Sequence, residues 1–384
     1  MNNSNKMAAI FSNISTNPVL SPLVDERPIA TLPFDCKYRL IDFPMSMLSH
    51  ANVNKIFMTF NQGETQSVFD HLGSGSEWGL DGFNNRYFVY IHQDFQRKKE
   101  AGIENYYQQQ IDFLRKSKAP YTVLLGSKFI CNVDLNAVLK IHKSKGKPLT
   151  AVYKNMCPSN AEPLDTFFRF DEEGNVTTNF AEELVDPKEK EALSLNIFVA
   201  DTEWLISFVE KMQAECEFAS ISRLIRKYMS KTNMSVNTYE YTGYMSNIRS
   251  IKSYYDANMA MLEANNFTSL FYGSQPIYTK IKNEVPTYFS KGSQVKNSQF
   301  GSGCVIKGHV ENSQISRGAN VGAGAEVNHS LVFTSSEVKE NAHIKYAIID
   351  KHVIVEEGVK IEGTAENPVV IAKHTIVTDD IIQK

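Results

Sequence analysis

A chain of 384 residues is too long for one small domain, and length alone predicts two. Its apolar fraction of 42% and charged fraction of 22% are those of an ordinary globular protein. With 40 Lys and Arg against 43 Asp and Glu, the net charge of -3 offers no strong field to nucleic acid or to an anionic membrane. No run of about eighteen apolar residues occurs, so no membrane span is expected. The polar stretch 1–7 lacks the apolar core of a signal peptide. Cys36, Cys131, Cys157, Cys216 and Cys304 are scattered with no CxxC spacing, which predicts reduced thiols in the cytoplasm rather than a disulfide framework or a zinc site.

Along the first 265 residues, short apolar runs alternate with helical patterns. Lys55–Phe60 (KIFMTF), residues 87–91 (YFVYI), Tyr121–Leu125 (YTVLL) and residues 148–153 (PLTAVY) read as buried strands, rich in β-branched and aromatic side chains. Between them, residues 104–117 and Leu135–Lys145 carry apolar residues at helical spacing. This alternation predicts a mostly parallel sheet covered by helices on both faces. Residues 194–200 (SLNIFVA) read as a strand, and 202–212 and 220–229 as amphipathic helices. Residues 251–264 read as one further helix, with Tyr254, Ala257, Met261 and Leu262 near one stripe. The first domain is expected over 1–275, with a linker within 267–289 broken by Pro276 and Pro286.

The last hundred residues follow another period. Val295, Phe300, Val305, Val310, Ile315, Val321, Val327, Val332, Val338, Ile344, Ile349, Val355 and Ile361 stand five or six residues apart. A coil with three short faces produces that spacing, because one residue per face must point inward. A parallel β-helix is therefore expected over 285–384, with Gly301, Gly318, Gly322, Gly324 and Gly358 at corners where φ is positive. Such a domain exposes strand edges at its ends, which favours oligomerisation.

Two local motifs stand out in the first half. Pro33-Phe34-Asp35-Cys36-Lys37-Tyr38-Arg39-Leu40-Ile41-Asp42-Phe43-Pro44 sets two basic residues and a carboxylate beside a turn. Lys37 and Arg39 suit a phosphate, Arg39 bidentately; a bracing pair of Arg39 with Asp42 fits equally well. His71-Leu72-Gly73-Ser74-Gly75-Ser76-Glu77-Trp78-Gly79-Leu80-Asp81 is a Gly-rich loop, read either as an anion cradle or, better, as a flexible connection. His309, His329, His343 and His352 lie in the repeat and read as solvated surface residues rather than catalytic bases.

Together these pieces resemble bacterial glucose-1-phosphate adenylyltransferase, the ADP-glucose pyrophosphorylase family, over nearly the whole chain. The segment from Pro33 to Pro44 resembles that family's PFGGKYRIIDFPLSN, and His71 to Asp81 its HIGxGxxWDLD. Ser194-Leu195-Asn196-Ile197-Phe198 is similar to SMGIY. Gly243-Tyr244, followed by Ser253-Tyr254-Tyr255-Asp256-Ala257-Asn258-Met259, is similar to GYWRDVGTxxSYxxANMDL. The resemblance implies a Rossmann-like, GT-A-type nucleotidyltransferase domain followed by a left-handed parallel β-helix of hexapeptide repeats. It implies transfer of AMP from ATP to glucose 1-phosphate, with a Gly-rich loop for the triphosphate and one magnesium held by two aspartates.

At the positions that carry this chemistry the chain departs from the family. The Gly-rich loop corresponds to Ala9-Ile10-Phe11-Ser12-Asn13-Ile14-Ser15-Thr16-Asn17-Pro18-Val19-Leu20, which has no glycine, and Ile29 falls near the following lysine. The first metal aspartate corresponds to Lys128 and the second to Asn247. An ammonium is no ligand for magnesium and an amide is a poor one. The family's FxEKP reads Phe180-Ala181-Glu182-Glu183-Leu184, so a phosphate-binding lysine becomes Glu183. Glu182 and Ser194, glucose-1-phosphate contacts in the family, are kept, and GTADA reads Gly102-Ile103-Glu104-Asn105-Tyr106.

The expectation is a regulatory, GlgD-type subunit without catalysis or metal of its own. Its expected partner is a catalytic GlgC-type subunit that carries the magnesium, joined in a hetero-tetramer of the cytoplasm, with a sugar phosphate as effector. The alternatives are an active adenylyltransferase with substituted metal ligands, or a stand-alone sensor of a sugar phosphate or nucleotide.

Overall fold

A computed structural model of the chain describes residues 6–82, 85–157, 165–170, 176–180, 190–232, 234, 236–273 and 275–383, the side chains of 177–180 and 230 excepted. The chain forms two compact units. One holds Met1–Thr16, Phe43–Met245 and Gln275–Tyr278; the other holds Asn17–Asp42, Ser246–Ser274 and Thr279–Lys384. Two segments ahead of the repeat, 17–42 and 246–274, thus belong to the same unit as the coils, where their apolar side chains find partners: Tyr254 meets Phe333 edge-on at 6.3 Å.

The first unit is built on a sheet with nine strands among the described residues. They are β1 (Met7–Asn13), β2 (Lys55–Phe60), β3 (Arg86–Ile91), β4 (Tyr121–Leu125), β5 (Leu149–Met156), β6 (Phe167–Phe170), β7 (Val176–Phe180), β8 (Glu191–Asp201) and β9 (Asn237–Glu240). β1 is central, parallel to β2 on one side and to β4 on the other, and β3 continues parallel beyond β2. Past β4 the ladders formed by β8 with β4, β5 and β6 are antiparallel, as is β6 with β7, whereas β9 runs parallel to β5. The sheet is mixed, with its parallel half around β1. β1 is buried on both faces, as a parallel strand covered by helices must be.

The helices of this unit include α1 (His92–Glu100), α2 (Gln108–Ser117), α3 (Leu135–Lys145), α4 (Thr202–Ala214) and α5 (Ile221–Thr232). Ala8, Ile10 and Phe57 of the sheet share one buried cluster with Tyr107 ahead of α2, Leu114, Leu205 and Ile225. α3 begins where Asp134 accepts the Asn136 and Ala137 amides at 2.9 and 3.2 Å, and ends at Gly146 with φ 65. The helix expected over 104–117 starts only at Gln108. Gly102, with φ 66, turns the chain first, and the Tyr107 amide is taken by the Gln213 side chain at 3.1 Å.

In the second unit, α6 (Ile251–Met259) is capped by reciprocal bonds between Ser250 and Ser253. The single helix expected over 251–264 is broken: a tight turn at Ala260–Leu262 and an extended Glu263 separate α6 from α7 (Ala264–Phe271). The first residues of the expected linker are therefore helical.

The repeat folds as a parallel β-helix, with three sheets of six, six and five strands among the described residues. Its inward columns read Val310, Val327, Ile344 and Ile361 on one sheet, and Ile315, Val332, Ile349 and Ile371 on another. On the third sheet the register places Ile306, not Val305, opposite Val321, and Ile306 is fully buried. The expected Val305 is one residue out, and a one-residue slip moves a side chain to the other face. Serine hydroxyls stitch one corner: Ser298, Ser313 and Ser330 each accept an amide from the next coil at 3.2, 3.1 and 3.1 Å.

Among the glycines expected at corners, Gly318, Gly324 and Gly358 have positive φ, but Gly301 and Gly322 do not. Those two are glycine because the neighbouring coil is too close: a Cβ would stand 2.6 Å from the Arg317 nitrogen or 2.7 Å from the Glu340 nitrogen. Gly308 is tighter still: its Cβ position would run into the Ala325 carbonyl oxygen, with the Gly322 carbonyl oxygen at 2.6 Å as well. Gly308→Ala is expected to destabilise this unit by about 1–3 kcal/mol through overpacking, read from the denaturation midpoint.

Candidate functional site

In the first unit, the strand order reverses at β1. In open α/β sheets the crevice off the carboxyl ends of the strands at such a point is where ligands bind. Here those ends present Ser12 and Asn13 at the end of β1, Thr59 on β2, and Gly126, Ser127 and Lys128 after β4. Ser127 donates to the Asn13 side chain at 2.9 Å, and both are buried. Lys128 Nζ donates to Asp165 Oδ1 at 2.7 Å; the carboxylate side is 1% exposed and the lysine 25%. Arg226 of α5 reaches the same region, its guanidinium 3.5 Å from the Thr166 hydroxyl. Burial lowers the Arg226 pKa, and the Asp165 charge opposes that shift.

A divalent cation does not fit these residues. The position that the resemblance assigns to a carboxylate holds an ammonium, and the nearest carboxylate is already bonded to it. Among the described residues, no group of three or more His, Cys, Asp or Glu is placed to hold a metal ion.

Asn247, the other substituted position, belongs to the second unit and is buried just ahead of α6. Ser194 is buried on β8, where its hydroxyl accepts the Asn196 amide at 3.3 Å beside a bulge with Asn196 at φ 56. Glu182 and Glu183 lie outside the described residues. The loop from His71 to Asp81 is a packed turn rather than a flexible one. Gly73, Gly75 and Gly79 all have positive φ, Trp78 is buried, and a Cβ on Gly75 would lie 2.8 Å from that of Leu80.

In the second unit, Lys37 and Arg39 sit on a hairpin of Pro33–Phe34 and Tyr38–Arg39. The loop between them is Asp35, Cys36 and Lys37, and the first two have φ 48 and 59, a left-handed conformation that glycine usually fills. Asp35 is held there by neighbours: its amide donates to Asn258 at 3.0 Å and its carboxylate accepts from Gln314 at 3.4 Å. Lys37 is exposed, and its carbonyl accepts from Arg317 at 3.0 Å. Asp42 accepts the Arg39 backbone amide at 2.9 Å, so the bracing expected of this pair runs at least through the backbone.

Sequence reasoning missed the residues around Arg39. Arg27 and Asp350 form a buried ion pair, and Arg27 Nε also donates to the Leu23 carbonyl at 2.8 Å. Next to Asp350, burial pulls the Lys351 ammonium down to about 6, with the Arg39 and Arg27 charges adding to the effect. Burial and the Arg317 charge lower Lys282 as well. No spacing in the chain announces this cluster, because its members come from three distant segments. A cavity of about 80 Å³ lies beside it, lined by Leu23, Glu26, Arg27, Asp350 and Lys373.

Burial raises the Asp35 carboxyl to about 7, against opposition from Gln299 and Lys37. An unfolded Asp titrates near 3.9. Between about pH 4 and 7 the folded chain thus keeps a proton that the unfolded chain has lost, and stability falls as pH rises. The span is worth on the order of 4 kcal/mol. Asp35→Asn, which imitates the protonated form and tolerates positive φ, is expected to melt higher than the parent at pH 8 and to flatten the pH dependence, measured by thermal melts across pH 4–8.

A sheet with a switch-point crevice, joined to a β-helix, is the architecture of a sugar-nucleotide nucleotidyl transferase. The profile described as nucleotidyl transferase matches residues 19–264, and that described as GlmU-like, C-terminal hexapeptide, matches residues 285–382. The chain belongs to the nucleotidyl transferase family, in the branch that holds glucose-1-phosphate adenylyltransferases and GlgD proteins. It is similar to glycogen biosynthesis protein GlgD of Geobacillus stearothermophilus, at 30% identity over 97% of each chain, and to that of Bacillus subtilis (strain 168), at 27% over 97% of each. It is also 28% identical, over 78% of each chain, to the glucose-1-phosphate adenylyltransferase of Clostridioides difficile (strain 630). Among the described residues no helix is long and apolar enough to cross a membrane.

Proposed function

We propose that the chain serves glycogen biosynthesis as a regulatory subunit of glucose-1-phosphate adenylyltransferase, inactive alone and acting on a catalytic sister subunit. The observation that carries this reading is the Lys128–Asp165 pair, which puts a bonded cation where the chemistry requires a metal-binding carboxylate. The partner is a GlgC-type subunit in a cytoplasmic hetero-tetramer, and the magnesium is the partner's. Regulation is conformational: the chain favours the active state of its partner by a coupling free energy of about 1–3 kcal/mol.

The same reading gives the basic cluster a role as an effector site for a phosphorylated sugar. Arg27, Arg39 and Lys351 are held close together, with Lys37 exposed on the hairpin. An anion there draws a proton onto Lys351, since a nearby negative charge favours the ammonium.

Mixing tests the proposal. With the catalytic subunit, the chain is expected to elute as one larger species and to raise ADP-glucose synthesis about 5- to 150-fold at limiting substrate. Two unmixed peaks with unchanged activity would count against it.

A further inference from the structure

The loop of the Pro33–Arg39 hairpin packs a carboxyl against donors that are already spent. Asp35 is 7% exposed. From the coils, Gln314 Nε2 lies 3.4 Å from its Oδ1, but the same nitrogen donates to the Asn258 carbonyl at 2.7 Å and to Gln299 Oε1 at 2.9 Å. An amide nitrogen has two hydrogens, so three acceptors compete for them and the Asp35 carboxyl, the most distant, receives least. Gln299 also bonds the carboxyl, with its Nε2 shared with the Met261 carbonyl at 3.1 Å. From α6, Asn258 faces the loop with its Oδ1, which accepts the Asp35 amide at 3.0 Å. The cations nearby are turned elsewhere. Lys37 is exposed, and Arg317 of the coils gives its guanidinium to the Lys37 carbonyl at 3.0 Å, with Glu284 at 3.9 Å. The Cys36 thiol and the Tyr38 hydroxyl are acids that a charge on Asp35 pushes further up. A neutral carboxyl suits this place and an anion does not: burial raises Asp35 to about 7, with Gln299 and Lys37 opposing.

We propose that Asp35 makes this loop a proton-operated latch on the β-helix: the neutral carboxyl docks the loop on the coils, and the carboxylate releases it. The base of the hairpin stays fixed, because Tyr254 donates to the Pro33 carbonyl and the Leu40 and Ile41 amides reach the Leu32 and Ala30 carbonyls at 3.2 and 2.7 Å. The loop is held by the Asp35 amide, by the Cys36 thiol on the Gln299 carbonyl at 3.4 Å and by Arg317. Release breaks the Arg317 bond and presents Lys37 and Arg317 to solvent together. In the released loop Asp35 titrates near 3.9. Each unit of pH between about 4 and 7 therefore favours release about tenfold, and the effect levels off above about 7. From pH 6 to pH 8 the gain is about tenfold. The latch needs only the hairpin, α6 and the coils, so it stands or falls apart from the regulatory reading.

The test is amide hydrogen exchange of the full chain, read by mass spectrometry at pH 6 and pH 8 with labelling times scaled to the intrinsic exchange rates. Peptides covering residues 33–41 of the parent are expected to lose about tenfold in protection from pH 6 to pH 8, while peptides around Val332 and Ile349 keep theirs. Asp35→Asn is expected to hold the loop's protection constant over the same range. Asp35→Gly, which removes the carboxyl and suits the positive φ, is expected to do the same, and it serves if the asparagine variant fails to fold. A parent loop whose protection does not change with pH overturns the proposal, as does a pH dependence that persists in the asparagine or glycine variant. An equal loss in the coils overturns it too, because that reports opening of the whole unit rather than of the loop.

Discussion

Supplied with ATP, glucose 1-phosphate and magnesium, the chain alone is expected to release pyrophosphate at least about a thousandfold more slowly than a catalytic relative. The expectation comes from the charge at one position. Metal stabilisation of a phosphoryl displacement supplies several kcal/mol. At about 1.4 kcal/mol per decade, losing roughly 5 kcal/mol removes three to four decades of rate. Lys128 cannot recover that loss by standing in for the metal, because its ammonium is bonded to Asp165 at 2.7 Å. Lys128→Asp alone is expected to leave the rate at background. It sets a second carboxylate beside Asp165 and removes the cation that Asp165 is bonded to, while the segment after β1 still has no glycine for a phosphate loop. A coupled pyrophosphate assay decides the matter, and a rate within tenfold of a catalytic relative would defeat the regulatory assignment.

The largest expected loss of stability is at Asp350. Breaking a buried ion pair from one side costs about 3–5 kcal/mol, because the remaining charge stays buried and unpaired. Asp350→Ala strands Arg27 in this way, and it does so near Arg39, whose charge already bears on the site. For a unit of this size the loss corresponds to roughly 6–20 °C in melting temperature. Pairing Asp350→Leu with Arg27→Met removes both charges and is expected to recover most of the loss, as apolar replacement of a buried pair often does. Thermal melts of the single and double variants measure both. A single variant that melts within about 2 °C of the parent, less than one kcal/mol is worth in a domain of moderate size, would show that the pair carries little.

Much of the architecture was legible in the sequence because two hydrophobic periods carry it. KIFMTF and YTVLL announce β2 and β4 by composition alone, and Leu135–Lys145 announces α3 by spacing and a cap. The five-or-six-residue steps found the β-helix but placed one inward residue at Val305 instead of Ile306, since Val and Ile are adjacent there and either satisfies the count. The break after Met259 was hidden because 251–264 keeps helical spacing across a turn that tertiary contacts impose. At the site, the substitution at Lys128 was readable from motif order, but its partner was not. Asp165 lies beyond another strand and a helix, and only the fold brings it near. The cluster of Arg27, Asp350 and Lys351 gave no signal at all, because no local spacing encodes it.

The stacked coils of the second unit also bear on how it yields. Within the column each coil is bonded to the coils directly before and after it, through the ladders and the row of serine hydroxyls. Such a column frays from its ends, since a terminal coil has one set of neighbours and a middle coil two. The terminal coils are also where apolar side chains face water: Tyr288 and Val295 at the start, Ile376 and Ile382 at the finish. The rigid part of the column is therefore its middle, around Val332 and Ile349, and the ends are the parts that can open, close or accept a neighbour without the centre giving way.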